Sequence, residues 1–419
     1  MQPSQRIFTF TIFLSFILAI LGVSFAGATL AITNSGRIAY GVHFENTPLN
    51  GLSREEAAAF LQKAAHQKLS KNALIFSYQD KTWQITPSEI SLSADMDATL
   101  EHAYAIGHSG RVLEDLVENI RCAFYGRRVE FVVNYDGAAL KDKLDGIAQP
   151  VNTPPQSARC FLGPGGSIQR RPAVIGRTLD TDALAESVND ALLHLDLPKR
   201  SALSVHETAP DITDAALAHI DTVLGVYTTH FNSGNSNRSQ NIRIASEALS
   251  QQLIKSGSEF SFNQTVGSRV ASAGYKDAAV IVDGKVEQDI GGGVCQVSST
   301  LYNAVLLAGL QSTERTSHFY PSSYVPAGLD ATVADGQLDF KFRNVLPHNV
   351  YLLSSVYGNT LTIFVLGTRA DLDGSHITLR TQTEKPGPGP TVSAYRIYQK
   401  NGQDIQTEFL HTDHYDVQG

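Results

Sequence analysis

Cysteine is scarce. The chain has three in 419 residues, Cys122, Cys160 and Cys295. In the first half of the chain His43, His66, His102 and His108 are scattered, none with a cysteine or carboxylate at the spacing typical of zinc, and no metal or cofactor is expected. Positive charge is also thin. There is no long basic run and the net charge is −8, which argues against a nucleic-acid partner or an anionic-membrane surface. Charged residues make up 18% and hydrophobic ones 42%, a globular balance.

Charge is missing altogether from Ile7 to Ile32. Those 26 residues are long enough to cross a bilayer. Arg6 precedes them, and Ala26-Gly27-Ala28 would serve as a signal-peptidase site. The run is longer than an ordinary signal-peptide apolar region, so an uncleaved single-pass anchor is expected, with the rest of the chain extracytoplasmic. In that compartment Cys122 and Cys160 are able to pair and leave Cys295 free, or all three stay reduced.

The expected fold is α+β in five parts: an anchor or signal with a short linker (1–40), two small α+β modules (41–126 and 127–224), a larger α+β domain (225–370) and a β-hairpin extension (371–419). Ser53 and Glu56 form a capping-box signature ahead of an amphipathic helix in the first module. Both modules run strand, helix, hairpin, helix, which reads as a divergent repeat. Neither holds a nucleophile beside a base, so both read as binding or spacer modules. Farther on, Tyr357-Gly358-Asn359 and Asn401-Gly402 mark two hairpins, the latter a type I′ turn signal. Lys385–Pro390, KPGPGP, is a linker that cannot continue a helix.

The stretch 286–310, VEQDIGGGVCQVSSTLYNAVLLAGL, organises the larger domain. Gly291, Gly292 and Gly293 run into a helix whose apolar residues Val294, Val297, Leu301, Val305 and Ala308 recur at helical spacing. Cys295 falls in its first turn, where free N–H groups favour a thiolate. A lone cysteine in an apolar helix is also a common core residue.

These residues, with Glu314-Arg315, His318, YVPAGLDATV and LDFKFRN in order, resemble the VanW-like family, named for its association with vancomycin-resistance clusters. The two upstream modules resemble the YoaR-like peptidoglycan-binding modules that often precede a VanW domain. The resemblance implies a bacterial cell-envelope protein with peptidoglycan as partner and the membrane reached through the N-terminal helix. It carries over Gly291, Gly292, Gly293, Gln296, Ser298, Ser299, Tyr302, Glu314, Arg315 and Arg343 as substrate-binding candidates.

Two functions are open. In the first, the chain binds peptidoglycan or its stem peptides. Arg315 and Arg343 then take carboxylates, Cys295 is an apolar floor, and Asp330 and Asp339 cap turns. In the second, the chain is a cysteine-dependent amidase or acyl-transferase on stem peptides. Cys295 is then the nucleophile, His318 on a following strand the base, and Asp330 or Asp339 orients the ring. Backbone N–H groups near Val294 and Cys295, with Gln296, would hold the oxyanion.

Overall fold

A computed structural model describes residues 3–70, 72–282, 285–384 and 389–416. The chain is α+β, with an N-terminal apolar helix, Pro3–Thr33, and many small antiparallel sheets. Packing divides it into two units, residues 1–154 with 176–208, and residues 155–175 with 209–419. The lines fall elsewhere than the module boundaries read from the sequence. The hairpin of Arg159–Leu162 and Ile168–Arg171 belongs with the C-terminal unit.

In the first unit the capping box forms as expected. Ser53 Oγ accepts from Glu56 N at 3.1 Å, and Glu56 Oε2 accepts from Ser53 N at 2.8 Å. The two modules interleave instead of standing side by side. Val42–Phe44 pairs in parallel with Arg127–Val129, and Lys199–Ala202 pairs in parallel with Leu74–Tyr78. One apolar core therefore runs from Ile38 to Leu203, with Leu61, Phe76, Val129 and Leu192 all buried in it.

In the second unit a four-stranded antiparallel sheet is ordered Thr222–His230, Thr360–Gly367, Val350–Tyr357, Gln252–Ile254. The helix Val294–Leu307 packs on it. The approach is close because Gly225 has no side chain, and a Cβ there would overlap the Ala304 carbonyl oxygen. This helix is buried along nearly its whole length, and its buried polar residues Gln296, Ser298, Ser299, Thr300 and Asn303 are hydrogen-bonded, as burial requires. The expected hairpins form at Gly358 and at Asn401-Gly402, the latter with both turn residues at positive φ. A third strand, His376–Glu384, extends the second hairpin into a sheet. Of the expected linker KPGPGP, residues 385–388 lie outside the described residues.

Candidate active site

The glycine run is set by backbone geometry. Gly291 and Gly293 have φ of +93° and +107°, which L side chains rarely adopt. At Gly292 the constraint is space, since a Cβ would come 2.6 Å from Ala279 O and 2.8 Å from the Ala278 carbonyl. Asn241 pins the turn from below, its Nδ2 donating to Gly292 O at 3.0 Å and Lys276 O at 2.9 Å. The chain then enters the buried helix. From Val294 to Leu306 every residue is buried except Cys295, which is partly exposed. Among the described residues the Cys295 N–H has no hydrogen-bond partner, as befits a first helical turn.

The segment after Glu314 carries the second half of the site. His318 was expected to open a strand. It lies instead in an irregular stretch, 315–333, containing Pro321 and Pro326, which lack the N–H a central strand needs. The stretch is fixed by side chains of the buried helix. Ser299 Oγ accepts from Ala331 N at 2.9 Å, Ser298 Oγ donates to Ala331 O at 2.6 Å, and Asn303 Nδ2 donates to Leu329 O at 2.7 Å. These contacts hold Asp330 beside His318.

Asp330 is 1% exposed, yet its carboxylate is fully engaged. It accepts from His318 Nδ1 at 2.5 Å, His318 N at 2.7 Å, Tyr415 Oη at 2.5 Å and Arg315 Nη2 at 3.1 Å. Burial alone would raise its pKa, but the His318 bond and the Arg315 charge outweigh that and hold it below the usual carboxylate range. Arg315 is itself shared with Asp413, at 2.5 Å.

With Nδ1 committed to Asp330, Nε2 on the other edge of the His318 ring meets Tyr324 Oη at 3.3 Å, and the ring lies close enough to the Cys295 thiol for each to shift the titration of the other. The thiol also lies 3.4 Å from Val333 O. Burial works against charge on both partners. For His318 the interactions with Asp330 and Cys295 prevail and raise its pKa to about 9. For Cys295 the interaction with His318 and the charge of Arg269 prevail and lower the thiol pKa. The pair is therefore disposed to exist as thiolate and imidazolium.

Cys295, His318 and Asp330 thus converge, and Asp339 does not join them. Its carboxylate accepts from Ser261 Oγ at 2.5 Å and Asn263 N at 2.9 Å, closing a turn. Gln296 is buried and donates to Thr229 Oγ1 and His230 O, so its amide is spent inside the core. Tyr302 is buried edge-on to Phe340. Glu314 pairs with Lys341 at 2.8 Å, and Arg343 with Glu259 at 3.6 Å. A groove of about 540 Å³ lies along Gln311–Ser317 and Glu408–Asp413, and Cys295 and His318 do not line it.

Two arginines that spacing could not reveal flank the glycine turn. Arg269 packs its stem on Gly291 and is bonded to Asp335 and Asn263. Arg238 packs on Gly293 and sits close enough to interact with the charges of Cys295 and Tyr324. Its partly buried guanidinium has no hydrogen bond or ion pair among the described residues. Cys122 and Cys160 are free buried thiols. No cluster of three or more His, Cys, Asp or Glu suited to a metal ion occurs among the described residues.

Residues 237–366 match the family described as "VanW like protein", and residues 83–198 match the one described as "Putative peptidoglycan binding domain". An uncharacterized protein of Bacillus subtilis, YoaR, is 45% identical over 155 residues, which is 37% of this chain and 51% of that protein. The vancomycin B-type resistance protein VanW of Enterococcus faecalis is 34% identical over 113 residues, 26% of this chain and 41% of that one. The chain therefore spans about half the length or less of these curated relatives. No solved structure matches.

Proposed function

Because the chain carries a VanW-like domain and, upstream, a domain of the peptidoglycan-binding kind, we propose that it is a wall-associated envelope protein whose Cys295 performs acyl transfer or hydrolysis on stem-peptide amides of peptidoglycan. The N-terminal helix holds it at the outer face of the membrane, and the upstream domain keeps it on its polymeric substrate.

The observation that carries this reading is the linked row of Cys295, His318 and Asp330. The thiolate bonds to the amide carbonyl carbon, and the developing oxyanion takes the unpaired N–H of Cys295. The C–N bond breaks and the His318 imidazolium gives its proton to the leaving amine nitrogen. The thioester left on Cys295 is then attacked by water or by a second amine. His318 takes the proton from that nucleophile, and sulfur departs as thiolate. Asp330 acts through His318 by holding the ring and stabilising its charged form. Arg238 supplies a free cation for a carboxylate of the substrate, the role that Arg315 cannot play because it is buried and paired with Asp330 and Asp413.

A binding cleft without turnover is the second reading. It draws on the burial of the Gln296 amide, which removes one expected oxyanion donor. The test uses the full chain and isolated sacculi, with wall peptides resolved by mass spectrometry. Acyl chemistry requires that the intact chain change the stem-peptide pattern and that Cys295→Ala abolish the change while still sedimenting with sacculi. An unchanged pattern with the intact chain, together with undiminished sedimentation, leaves binding alone.

A further inference from the structure

The helix Val112–Tyr125 of the first unit has a surface that nothing in the chemistry above explains. Around its axis Val112, Leu113, Leu116, Val117, Ile120 and Phe124 fall on one side, and Glu114, Asp115, Glu118 and Arg121 on the other. The apolar side is not buried. Val112 is 83% exposed, Leu113 77%, Val117 63% and Phe124 82%. Such a stripe on a water-facing helix costs solubility and marks a contact surface.

What lies against it identifies the contact. Leu116 and Ile120 pack on Gly27 of the N-terminal helix so closely that a Cβ at Gly27 would overlap Leu116 Cδ1. Gly27 lies inside the apolar stretch Phe10–Leu30, whose mean hydropathy is 2.3. It sits three residues before the end of that stretch, which at 1.5 Å per residue is about 4.5 Å below it. A polar lock fixes the arrangement. Asn34 Nδ2 donates to Asn119 Oδ1 at 2.6 Å, Asn119 Nδ2 donates to Gly107 O at 3.1 Å, and His108 Nε2 meets Asn34 O at 3.0 Å. Whatever depth Gly27 has in a bilayer, the apolar side of Val112–Tyr125 shares it.

We propose that Val112–Tyr125 is a second membrane element, lying in the outer interface of the bilayer with Val112, Leu113, Val117 and Phe124 immersed among acyl chains beside the N-terminal helix. This rests on the reading that Phe10–Leu30 stays in the membrane. Arg121 borders the stripe without an ion-pair partner among the described residues, placed to reach lipid phosphate. Tyr125, 86% exposed at the helix end, suits the interface, where an aromatic ring with a polar tip is favoured. The device fixes the tilt and height of the first unit above the membrane, which a single flexible tether cannot do.

The chain has one tryptophan, Trp83, so the depth can be measured directly. The full chain with Trp83→Phe and Phe124→Trp is reconstituted in phosphatidylcholine vesicles with plain or brominated acyl chains. After an alkaline wash the protein should remain with the vesicles. Brominated chains should then quench the indole by about twofold or more, as expected for a ring at the acyl boundary. Retention without quenching overturns the inference and leaves the anchor intact. Release into the wash overturns the anchor reading and the inference with it.

Discussion

Protonation of one pair of side chains separates the two readings of the site. The unfolded reference values are about 6.5 for histidine and about 8.5 for cysteine. In the folded protein His318 is raised to about 9 and Cys295 is lowered. The imidazolium contribution to stability is complete below about 6.5 and is lost as pH rises through about 9. The thiolate contribution is complete above about 8.5 and is lost as pH falls through the depressed thiol value. Between the depressed thiol value and about 8.5 the thiolate slope therefore opposes the imidazolium slope, which runs from about 6.5 to about 9. In Cys295→Ala only the His318 term remains, and stability should fall across that same window. Denaturant midpoints against pH for the two proteins check this. Parallel curves would mean that Cys295 is a neutral core thiol. Arg238 offers a second test at this scale. An arginine fork on a carboxylate is worth roughly 1.5–3 kcal/mol, so Arg238→Ala should raise KM by about 10- to 100-fold with little change in kcat. Any loss of stability should be confined to the packing of its stem on Gly293, because no hydrogen-bond partner is lost. Cys295 and His318 were legible from the sequence because a helix start and the order of polar residues point to them. Arg238, Tyr415 and Asp413 were not. They come from remote segments, and no local period connects Tyr415 with Asp330 across 85 residues.

At the scale of elements, the glycine turn and the buried helix form one rigid piece. The sequence marks both, since three glycines before a helical period have few other uses. It does not mark why each glycine is needed. Gly291 and Gly293 need positive φ, whereas Gly292 needs the absence of a side chain against the Ala278–Ala279 backbone. Gly292→Ala therefore tests packing without changing the φ requirement. Forcing a methyl against fixed backbone costs about 1–3 kcal/mol, read as a lower denaturant midpoint. It should also move the Cys295 turn away from His318, so that iodoacetamide reacts more slowly with the thiol at neutral pH. The sequence places His318 on a strand after the helix, yet 315–333 is irregular. Its shape is set by Ser298, Ser299 and Asn303 of the helix, hydrogen bonds between parts of the chain that a local reading treats separately.

At the scale of the whole molecule, the chain passes between its two units three times, at 154/155, 175/176 and 208/209. The sequence shows strand, helix and turn in the right order through this region but not which core each hairpin joins, because a short alternating strand has an apolar side that fits either. Residues 155–175 contribute Ala158 and Cys160 to a small core with Leu217, Ile220, Tyr351 and Leu366, and Arg170 Nη2 bonds to Ala218 O and Ile220 O. A chain begun at 209 would keep Cys295, His318 and Asp330 but uncover Tyr351 and Leu366 on the sheet that supports the buried helix. Each large side chain stripped of cover forfeits about 1.5–3 kcal/mol. That fragment should therefore unfold at lower denaturant than the C-terminal unit does within the intact protein, and its Cys295 should lose its reactivity below the ordinary thiol range in the same transition. Restoring the hairpin by fusing 155–175 ahead of 209 through a short glycine-serine linker should recover both. If the bare fragment matches the intact protein in midpoint and in thiol reactivity, the hairpin is a passenger and the C-terminal unit begins at 209.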